Sequence, residues 1–294
     1  MRAVAHRKTN HSGRRAAIFL PGLCLLLSLF SSALQASGSC KIYPHLNFGI
    51  LPFISNEQLV HQFSPLMEYL GRQLEVPVRL VTAPDFSGFA RRTAQGGHYD
   101  ILFTAPHLFP QAMDRAGYRL VASVDSPGLW AVIVVPKTSD INDIHDLKGR
   151  RLATVQSASL ATLLVKKYLK EAGIDPEHDL VLVATPSHDA SLLSSYHGVT
   201  DASSLMQTQY DAASEQVRNN MRIIARTEKT PHIPISVSPR IVEDCASEIA
   251  DVLLNINRTE AGRRALRNNR FTGFRKAKIS EYDAMRELFN SNAQ

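Results

Sequence analysis

Short apolar runs alternate with helical hydrophobic patterns from residue 46 onward. Residues 46–51 form the first predicted strand. The segment after it carries apolar residues three or four positions apart, as one face of a helix does: Leu59, Phe63, Leu66, Leu70 and Leu74. Pro65 interrupts this pattern, so it either kinks the helix or begins a second one with Ser64 as its cap. Alternation of this kind predicts a largely parallel α/β architecture.

The strand-to-helix pattern then repeats along the chain. Further strands are predicted at residues 78–81, in the apolar run that ends at residue 104, and at residues 130–135, 151–155, 180–184 and 221–225. Helices are predicted near residues 86–95 and at residues 159–172, 189–197, 239–269 and 280–289. Residues 121–128 indicate a crossing into a second lobe, and Pro231 with Pro234 marks the return. We therefore expect lobe 1 from residues 40–126 and 230–294, lobe 2 from residues 127–229, and a hinge that lets them close on a ligand.

Three predicted strand ends carry hydroxyl or imidazole side chains: Thr104 with His107, Ser157 with Ser159, and His188. Ligands of open α/β sheets bind at the carboxyl ends of strands, so a small polar ligand is expected here. The two serines precede a predicted helix, whose first turn offers unpaired N–H groups to an anion. Pro106 is expected early in a helix, with His107 in its first turn. Because serine is also a common helix cap, a purely structural role stays open as well.

Signatures of catalysis and metal binding are missing from the sequence. It contains no nucleophile elbow, Walker loop or dinucleotide fingerprint. The 11 histidines include no pair four residues apart on a helix, and the cysteines are too few for a structural zinc site. A pair of Ser157 with His188 or His107 leaves a small-ester hydrolase as an alternative, but no orienting acid or oxyanion hole can be located. The sequence predicts a binding protein without cofactor or metal, not an enzyme.

The net charge of +6 is concentrated at the N-terminus. Residues 1–39 hold five basic residues and no acidic one, so the rest carries no footprint of nucleic-acid binding. Their basic start, apolar residues 16–34 and small residues 36–39 have the order of an export signal. We expect a signal peptide over residues 1–39, cleaved near its end, and a periplasmic protein. A retained anchor is the alternative, because the apolar stretch approaches the roughly 20 residues that span a bilayer.

The number and the oxidation state of the cysteines depend on this export. Cys24 would leave with the signal, so Cys40 and Cys245 would remain in an oxidising compartment. They form either one disulfide or two thiols, since the sequence does not supply their Cα separation. A lipid anchor on Cys40 is disfavoured, because Ser37 stands where lipoprotein signals carry a large aliphatic residue.

Several short segments, taken in order, resemble the periplasmic substrate-binding proteins of phosphate, phosphite and phosphonate ABC importers. They are residues 48–52 (FGILP), 63–70 (FSPLMEYL), 99–107 (YDILFTAPH), 146–149 (DLKG), 187–190 (SHDA), 198–201 (GVTD) and 259–262 (TEAG). This resemblance covers nearly all of the chain after the signal. It implies an α/β fold of the two-lobed type II periplasmic-binding class, in which two mixed, mostly parallel sheets are joined by a two-strand hinge.

The resemblance also implies a site and partners. The residues that would surround the ligand are Phe53, Thr104, His107, Ser157, Ala158, Ser159 and His188. The implied function is that of a monomeric receptor, which captures a phosphate-like oxyanion (phosphonate, phosphite or phosphate) and delivers it to an ABC permease of the inner membrane. A subunit that senses the ligand for a membrane histidine kinase shares these sequence features and stays an alternative.

Two positions depart from the phosphonate-binding pattern. Ser157, Ala158, Ser159 and Leu160 replace three consecutive hydroxyl residues and a glycine, and Phe53 stands where tyrosine is common. No pair of carboxylates that would hold an aminoalkyl group is identified. The sequence therefore supports an oxyanion more than any particular organic group, and it leaves open whether the anion contains phosphorus.

Overall fold

A computed structural model describes residues 3–5 and 38–290, the side chains of residues 289 and 290 excepted. The predicted signal peptide, Cys24 included, lies almost wholly outside the described residues, and its cleavage stays a prediction. Residues 38–290 belong to one compact unit. Among the described residues, no helix combines the length and the apolar character needed to cross a membrane.

The described chain folds into eleven strands and ten α-helices. The strands are β1 (Leu46–Ile50), β2 (Val78–Val81), β3 (Ile101–Phe103), β4 (Arg119–Val124), β5 (Ala131–Pro136), β6 (Arg151–Val155), β7 (Val181–Thr185), β8 (Ala202–Met206), β9 (Met221–Arg226), β10 (Pro234–Val237) and β11 (Phe274–Arg275). The helices are α1 (Asn56–Leu74), α2 (Phe86–Gln95), α3 (Phe109–Ala116), α4 (Leu160–Glu171), α5 (His188–Tyr196), α6 (Gln207–Ala212), α7 (Glu215–Asn220), α8 (Glu243–Asn255), α9 (Glu260–Leu266) and α10 (Ala284–Asn290). Short 3-10 helices lie at Ser39–Ile42, His145–Leu147, Ile256–Arg258, Arg267–Asn269 and Ile279–Tyr282.

The first sheet holds six strands in the order β11-β4-β10-β3-β1-β2. β1 pairs in parallel with β2 and β3, whereas β10 runs antiparallel to β3 and β4. Strand β3 is apolar and buried throughout, because helices cover both of its faces. Phe103 packs in the cluster that contains Phe63 of α1, and the adjacent Leu102 packs in the cluster that contains Phe89 of α2. Successive side chains of a strand point to opposite faces, so α1 and α2 lie on opposite sides of this sheet.

The second sheet holds five strands in the order β7-β6-β8-β5-β9. β6 pairs in parallel with β7 and β8, and β5 runs antiparallel to β8 and β9. Ile133 of β5 packs in the cluster that contains Leu163 of α4, while Val132 and Val134 pack in the cluster that contains Leu192 of α5. The two helices therefore cover opposite faces here as well. We call the parts of the chain built on the two sheets the first and the second lobe.

Both sheets are mixed, which confirms this part of the predicted fold class. Parallel pairing is less dominant than predicted, since four of the nine strand pairs are parallel. The physical reason is the route of the chain between the lobes. It enters the second lobe through β5 and returns to the first through β10, and all pairs made by these two strands are antiparallel. The sequence patterns predict neither β8 nor β10.

Two extended segments cross side by side between the lobes. The Leu129 N–H donates to the Thr230 carbonyl at 3.0 Å, and the Thr230 N–H donates to the Leu129 carbonyl at 2.7 Å. Gly128 has a φ of +117°, and a Cβ there would lie 2.5 Å from the Thr230 carbonyl oxygen. Glycine is therefore needed for the segments to approach this closely. The residue boundaries of the two lobes stay a prediction.

A disulfide fixes the start of the described body to α8. Cys40 and Cys245 are joined with their Cα atoms 4.8 Å apart, so of the two states left open above the structure has the disulfide. The Glu248 carboxylate accepts hydrogen bonds from the N–H groups of Gly38 and Cys40, each at 3.2 Å. A sulfur held in this disulfide is not available for a lipid anchor.

Helix α10 contacts both lobes. Met285 and Leu288 pack in the apolar cluster of the second lobe, and Arg286 forms an ion pair with Asp114 of α3 in the first lobe. The C-terminal helix thus bridges the two lobes beside the hinge.

Candidate functional site

A cavity of about 750 Å³ lies between the two lobes, next to the hinge. Its walls come from the loop after β1, one turn of α1, the starts of α2, α4 and α5, the corner after β3, the two hinge segments, residues 206–212 around α6, and residues 267–272. The carboxyl ends of parallel strands thus face it, as in other α/β binding sites. Its volume falls in the range of about 300–1,000 Å³ that is typical of small-molecule sites.

Phe53 and Thr104 of the first lobe line the cavity. The half-buried Phe53 ring packs edge-on against Phe63, with ring centroids 6.1 Å apart. Thr104 follows β3 directly and is fully buried, and its Oγ1 has no hydrogen-bond partner among the described residues. Burying a hydroxyl without a partner costs about 1–3 kcal/mol. Thr104 Oγ1 is therefore a candidate ligand contact.

The serine loop, residues 157–159, lies on the side of the cavity that belongs to the second lobe. Ser159 occupies the N-cap position of α4, yet its side chain makes no capping hydrogen bond. Its Oγ is buried and has no partner in the described part of the chain, so it is available to a group outside the helix. Ser159 lines the cavity, whereas Ser157 is exposed and is not among the lining residues. The structure separates two serines that the sequence groups together.

His188 reaches the cavity at the start of α5. Ser187 caps this helix, because its Oγ accepts from the Ala190 N–H at 3.2 Å. Burial lowers the pKa of His188 to about 4, so the ring is neutral near pH 7. Within residues 38–290, its Nδ1 has no hydrogen-bond partner. The Phe86 ring of the first lobe packs edge-on against it at 6.4 Å.

His107 joins the lobes and is not among the lining residues of the cavity. Its Nε2 lies 3.0 Å from the carbonyl oxygen of Ala158, and this nitrogen carries the proton because a carbonyl can only accept. Burial lowers the pKa of His107 to about 4, an effect that the bond to Ala158 partly offsets. The predicted helical position of Pro106 and His107 is wrong. Helix α3 begins two residues later, and Pro110 takes the early helical position that suits proline.

His232, in the returning hinge segment, lines the cavity and was not predicted. The Ile233 N–H donates to its Nδ1 at 2.8 Å, so the neutral ring carries its proton on Nε2. Burial, and to a smaller extent the nearby Arg275 charge, lowers the pKa of His232 to about 4. His232 stands at no predicted strand end, and the prolines on either side of it are the one signal in the sequence that could have drawn attention to it.

Residues 267–272 form a second unpredicted wall, and all six line the cavity. The Asn268 Nδ2 donates to the His61 carbonyl of α1 at 3.0 Å, and the Asn269 Nδ2 donates to the Gln62 carbonyl at 2.9 Å. Pro65 lies inside α1 and has no N–H to offer the His61 carbonyl four residues earlier. Asn268 supplies the missing donor. The proline that the sequence marks as a kink is thus a docking point for this wall, and α1 continues through it.

The charged lining residues are all exposed at the mouth of the cavity: Asp125, Asp211, Arg267 and Arg270. None of the described lining residues is a buried lysine or arginine. In the described ranges, no group of three or more His, Cys, Asp or Glu residues is placed to hold a metal ion. An anion inside the cavity would therefore be held by neutral donors and by the N-termini of α4 and α5.

Residues 48–282 match the family model described as "ABC transporter, phosphonate, periplasmic substrate-binding protein". The chain belongs to this family. The resemblance inferred from the sequence is confirmed, and the family is one of transport proteins that bind substrates.

Known proteins of this family are similar over most of the chain. The "Phosphonates-binding periplasmic protein" of Escherichia coli (strain K12) is 25% identical over 259 residues, which cover 83% of this chain and 75% of that protein. A binding protein component of an ABC phosphonate transporter from Pseudomonas aeruginosa superposes with a TM-score of 0.77 at 18% identity, over 85% of this chain and 87% of that one. A Prochlorococcus marinus (MIT 9301) protein in complex with methylphosphonate also gives 0.77, at 19% identity, over 84% and 98%. These likenesses confirm the type II periplasmic-binding fold.

Proposed function

We propose that this protein is a periplasmic receptor that captures a phosphonate between its lobes and delivers it to an ABC permease. Three buried polar atoms carry the proposal: Thr104 Oγ1 from the first lobe, and Ser159 Oγ and His188 Nδ1 from the second. Each belongs to a residue that lines the cavity, and none has a partner among the described residues. A ligand that satisfies all three binds the closed state more tightly than the open state, and so it holds the lobes together.

The chemistry of these groups suits an oxyanion. Each hydroxyl can donate to a ligand oxygen, and the His188 ring can donate from one nitrogen. Ser159 and His188 also stand at the starts of α4 and α5, where free N–H groups and the helix dipole favour negative charge. A tetrahedral oxyanion with several acceptor oxygens can use donors from both lobes at once.

The remaining space favours an oxyanion that carries an organic group. A cavity of about 750 Å³ exceeds what a bare tetrahedral anion fills. Apolar rings line part of it, among them Phe53, Phe86 and Phe271. Both facts support a phosphonate over phosphate or phosphite. The name of the Escherichia coli relative and the methylphosphonate bound by the Prochlorococcus protein support the same choice.

The geometry supports binding rather than hydrolysis. A serine nucleophile needs a base within hydrogen-bond reach. Ser159 Oγ and His188 Nδ1 each lack a hydrogen-bond partner in the described chain, so they do not form such a pair. Ser157 is exposed outside the cavity lining. Membership of a transport family favours delivery to a permease over signalling to a kinase.

Calorimetric titration of the exported protein tests the proposal. The ligands are methylphosphonate, ethylphosphonate, phosphate, phosphite and sulfate. We expect both phosphonates to bind more tightly than phosphate, and ethylphosphonate to bind about fourfold more tightly than methylphosphonate, because burying a methylene contributes about 0.8 kcal/mol. Phosphate or sulfate that binds as tightly as ethylphosphonate would contradict the proposal that the ligand is a phosphonate.

A further inference from the structure

The orientation of the Asn269 amide is fixed by its contact with α1. Its Nδ2 donates to the Gln62 carbonyl at 2.9 Å. Exchanging the two amide atoms would place Oδ1 against that carbonyl oxygen, which would leave two acceptors facing each other. Oδ1 is therefore the atom left over, and it is buried without a hydrogen-bond partner among the described residues. Asn269 lines the cavity of the proposed phosphonate site.

Asn269 Oδ1 differs in kind from the other unpartnered atoms of the cavity. Thr104 and Ser159 hold hydroxyls, and His188 a ring nitrogen, so each of these residues can donate to an oxyanion. A carboxamide oxygen can only accept. An ionised phosphonate oxygen also only accepts and cannot satisfy it. The partner of Asn269 Oδ1 must carry an O–H or an N–H.

The surroundings of Asn269 suit the organic part of a ligand. Phe271, two residues further along this wall, is half-buried and lines the cavity. Its ring stacks on Phe103 with centroids 6.0 Å apart and meets His232 edge-on at 6.4 Å. This wall is thus partly apolar, with one buried acceptor beside it.

We propose that Asn269 determines ligand specificity by accepting a hydrogen bond from a donor on the organic group of the phosphonate. This inference rests on the proposed function. It names the substrate class as phosphonates with a hydroxyl or amino group close to phosphorus, rather than plain alkylphosphonates. Pro65 contributes indirectly, because it frees the carbonyl of α1 on which the neighbouring Asn268 docks.

Three ligands of equal heavy-atom count test the inference by calorimetry at one pH. Ethylphosphonate, hydroxymethylphosphonate and aminomethylphosphonate differ in the group that occupies the second carbon position. The wild type should prefer the hydroxymethyl ligand, or the aminomethyl ligand, over the ethyl ligand by about 3- to 10-fold, the range of one hydrogen bond. Asn269→Ala should abolish this preference while ethylphosphonate still binds.

Asn268→Ala is the matched control. Asn268 also lines the cavity and also donates its Nδ2 to a backbone carbonyl of α1, but its side chain is exposed. This variant loses an equivalent bond and should keep the wild-type preference. If it and Asn269→Ala both lower affinity equally for all three ligands, the wall is structural and the inference is overturned.

If Asn269→Ala fails to fold, the ligand preferences of the wild type alone still test the inference. A wild type that binds ethylphosphonate as tightly as both other ligands overturns the inference and leaves the proposed function standing. A wild type that binds phosphate but no phosphonate overturns both. Loss of ethylphosphonate affinity in folded Asn269→Ala, equal to the loss for hydroxymethylphosphonate, would place the donor on the phosphonate group itself and overturn the assignment to the organic group.

Discussion

His107 Nε2 lies 3.0 Å from the carbonyl oxygen of Ala158, so the corner after β3 touches the serine loop directly. The Phe86 N–H also donates across the lobes, to Gln156 Oε1 at 3.1 Å. Both contacts require the lobes to be together. The structure therefore shows a closed cleft, in which residues of the two lobes surround one cavity.

Removing the His107 contact should favour the open state. In His107→Leu the Ala158 carbonyl loses its donor, so the closed state is destabilised by the worth of one hydrogen bond. We expect affinity for methylphosphonate to fall about 3- to 10-fold in calorimetry and the radius of gyration in small-angle scattering to rise. His178→Leu serves as control, because His178 is exposed and pairs with Asp175 within its own lobe. Unchanged affinity and dimensions in His107→Leu would show that this contact does not bias closure.

The two serines of the serine loop should differ in effect. Ser159→Ala should weaken methylphosphonate binding by about 1–3 kcal/mol, because Ser159 Oγ lines the cavity as a charge-assisted donor. Ser157→Ala, at an exposed position, should change the binding free energy by less than about 0.5 kcal/mol. Without ligand, Ser159→Ala should melt at the wild-type temperature or above it, since it no longer buries an unpaired hydroxyl. Equal losses of affinity in the two variants would contradict the placement of Ser159.

The sequence predicts those parts of the site that depend on local pattern. Thr104 and His188 follow apolar strands, and the end of a strand is visible from the run of residues before it. β8 is missed because its serines resemble a loop. In the structure Ser203 and Ser204 are fully buried and hydrogen-bond to α5 and β6, which no local pattern reveals.

The unpredicted residues depend on contacts between distant parts of the chain. Asn269 acquires its orientation from Gln62, which lies 207 residues earlier. His232 reaches the cavity because the hinge segments cross beside it. Periodicity and capping signals describe neighbours along the chain, so they cannot report these contacts.

Burial of three histidines should make the fold sensitive to acid. The pKa values of His107, His188 and His232 are each lowered to about 4, chiefly because burial disfavours the charged ring. The unfolded chain, with histidine pKa values near 6.5, then binds more protons than the folded one as pH falls. The free energy of unfolding should be at full value above about pH 6.5 and decline towards pH 4, by about 1–3 kcal/mol for each ring. Urea denaturation at a series of pH values measures this, and His188→Gln should show a shallower decline than the wild type. An unfolding free energy that stays constant over this range would contradict the burial of these rings.

Ligand binding should take up protons at His188. A bound anion favours the protonated ring, so it raises the pKa of His188 from about 4. Affinity should therefore fall as pH rises through the pKa of the bound state. Calorimetry between about pH 4.5 and 8.5, in two buffers of different ionisation enthalpy, measures the uptake, because this range reaches close to the pKa of the free ring at about 4. The difference between wild type and His188→Gln cancels the ionisation of the ligand itself. Identical pH profiles would mean that His188 only begins helix α5.

A crystal structure of the exported protein with methylphosphonate shows whether the cleft holds this ligand as proposed. We expect the phosphonate group in the cavity between the lobes, with its oxygens about 2.6–3.1 Å from Thr104 Oγ1, Ser159 Oγ and a ring nitrogen of His188. The methyl group should face the apolar wall near Phe271. Methylphosphonate bound elsewhere, or bound in the cavity with these three atoms still unpaired, would show that the proposed site is wrong.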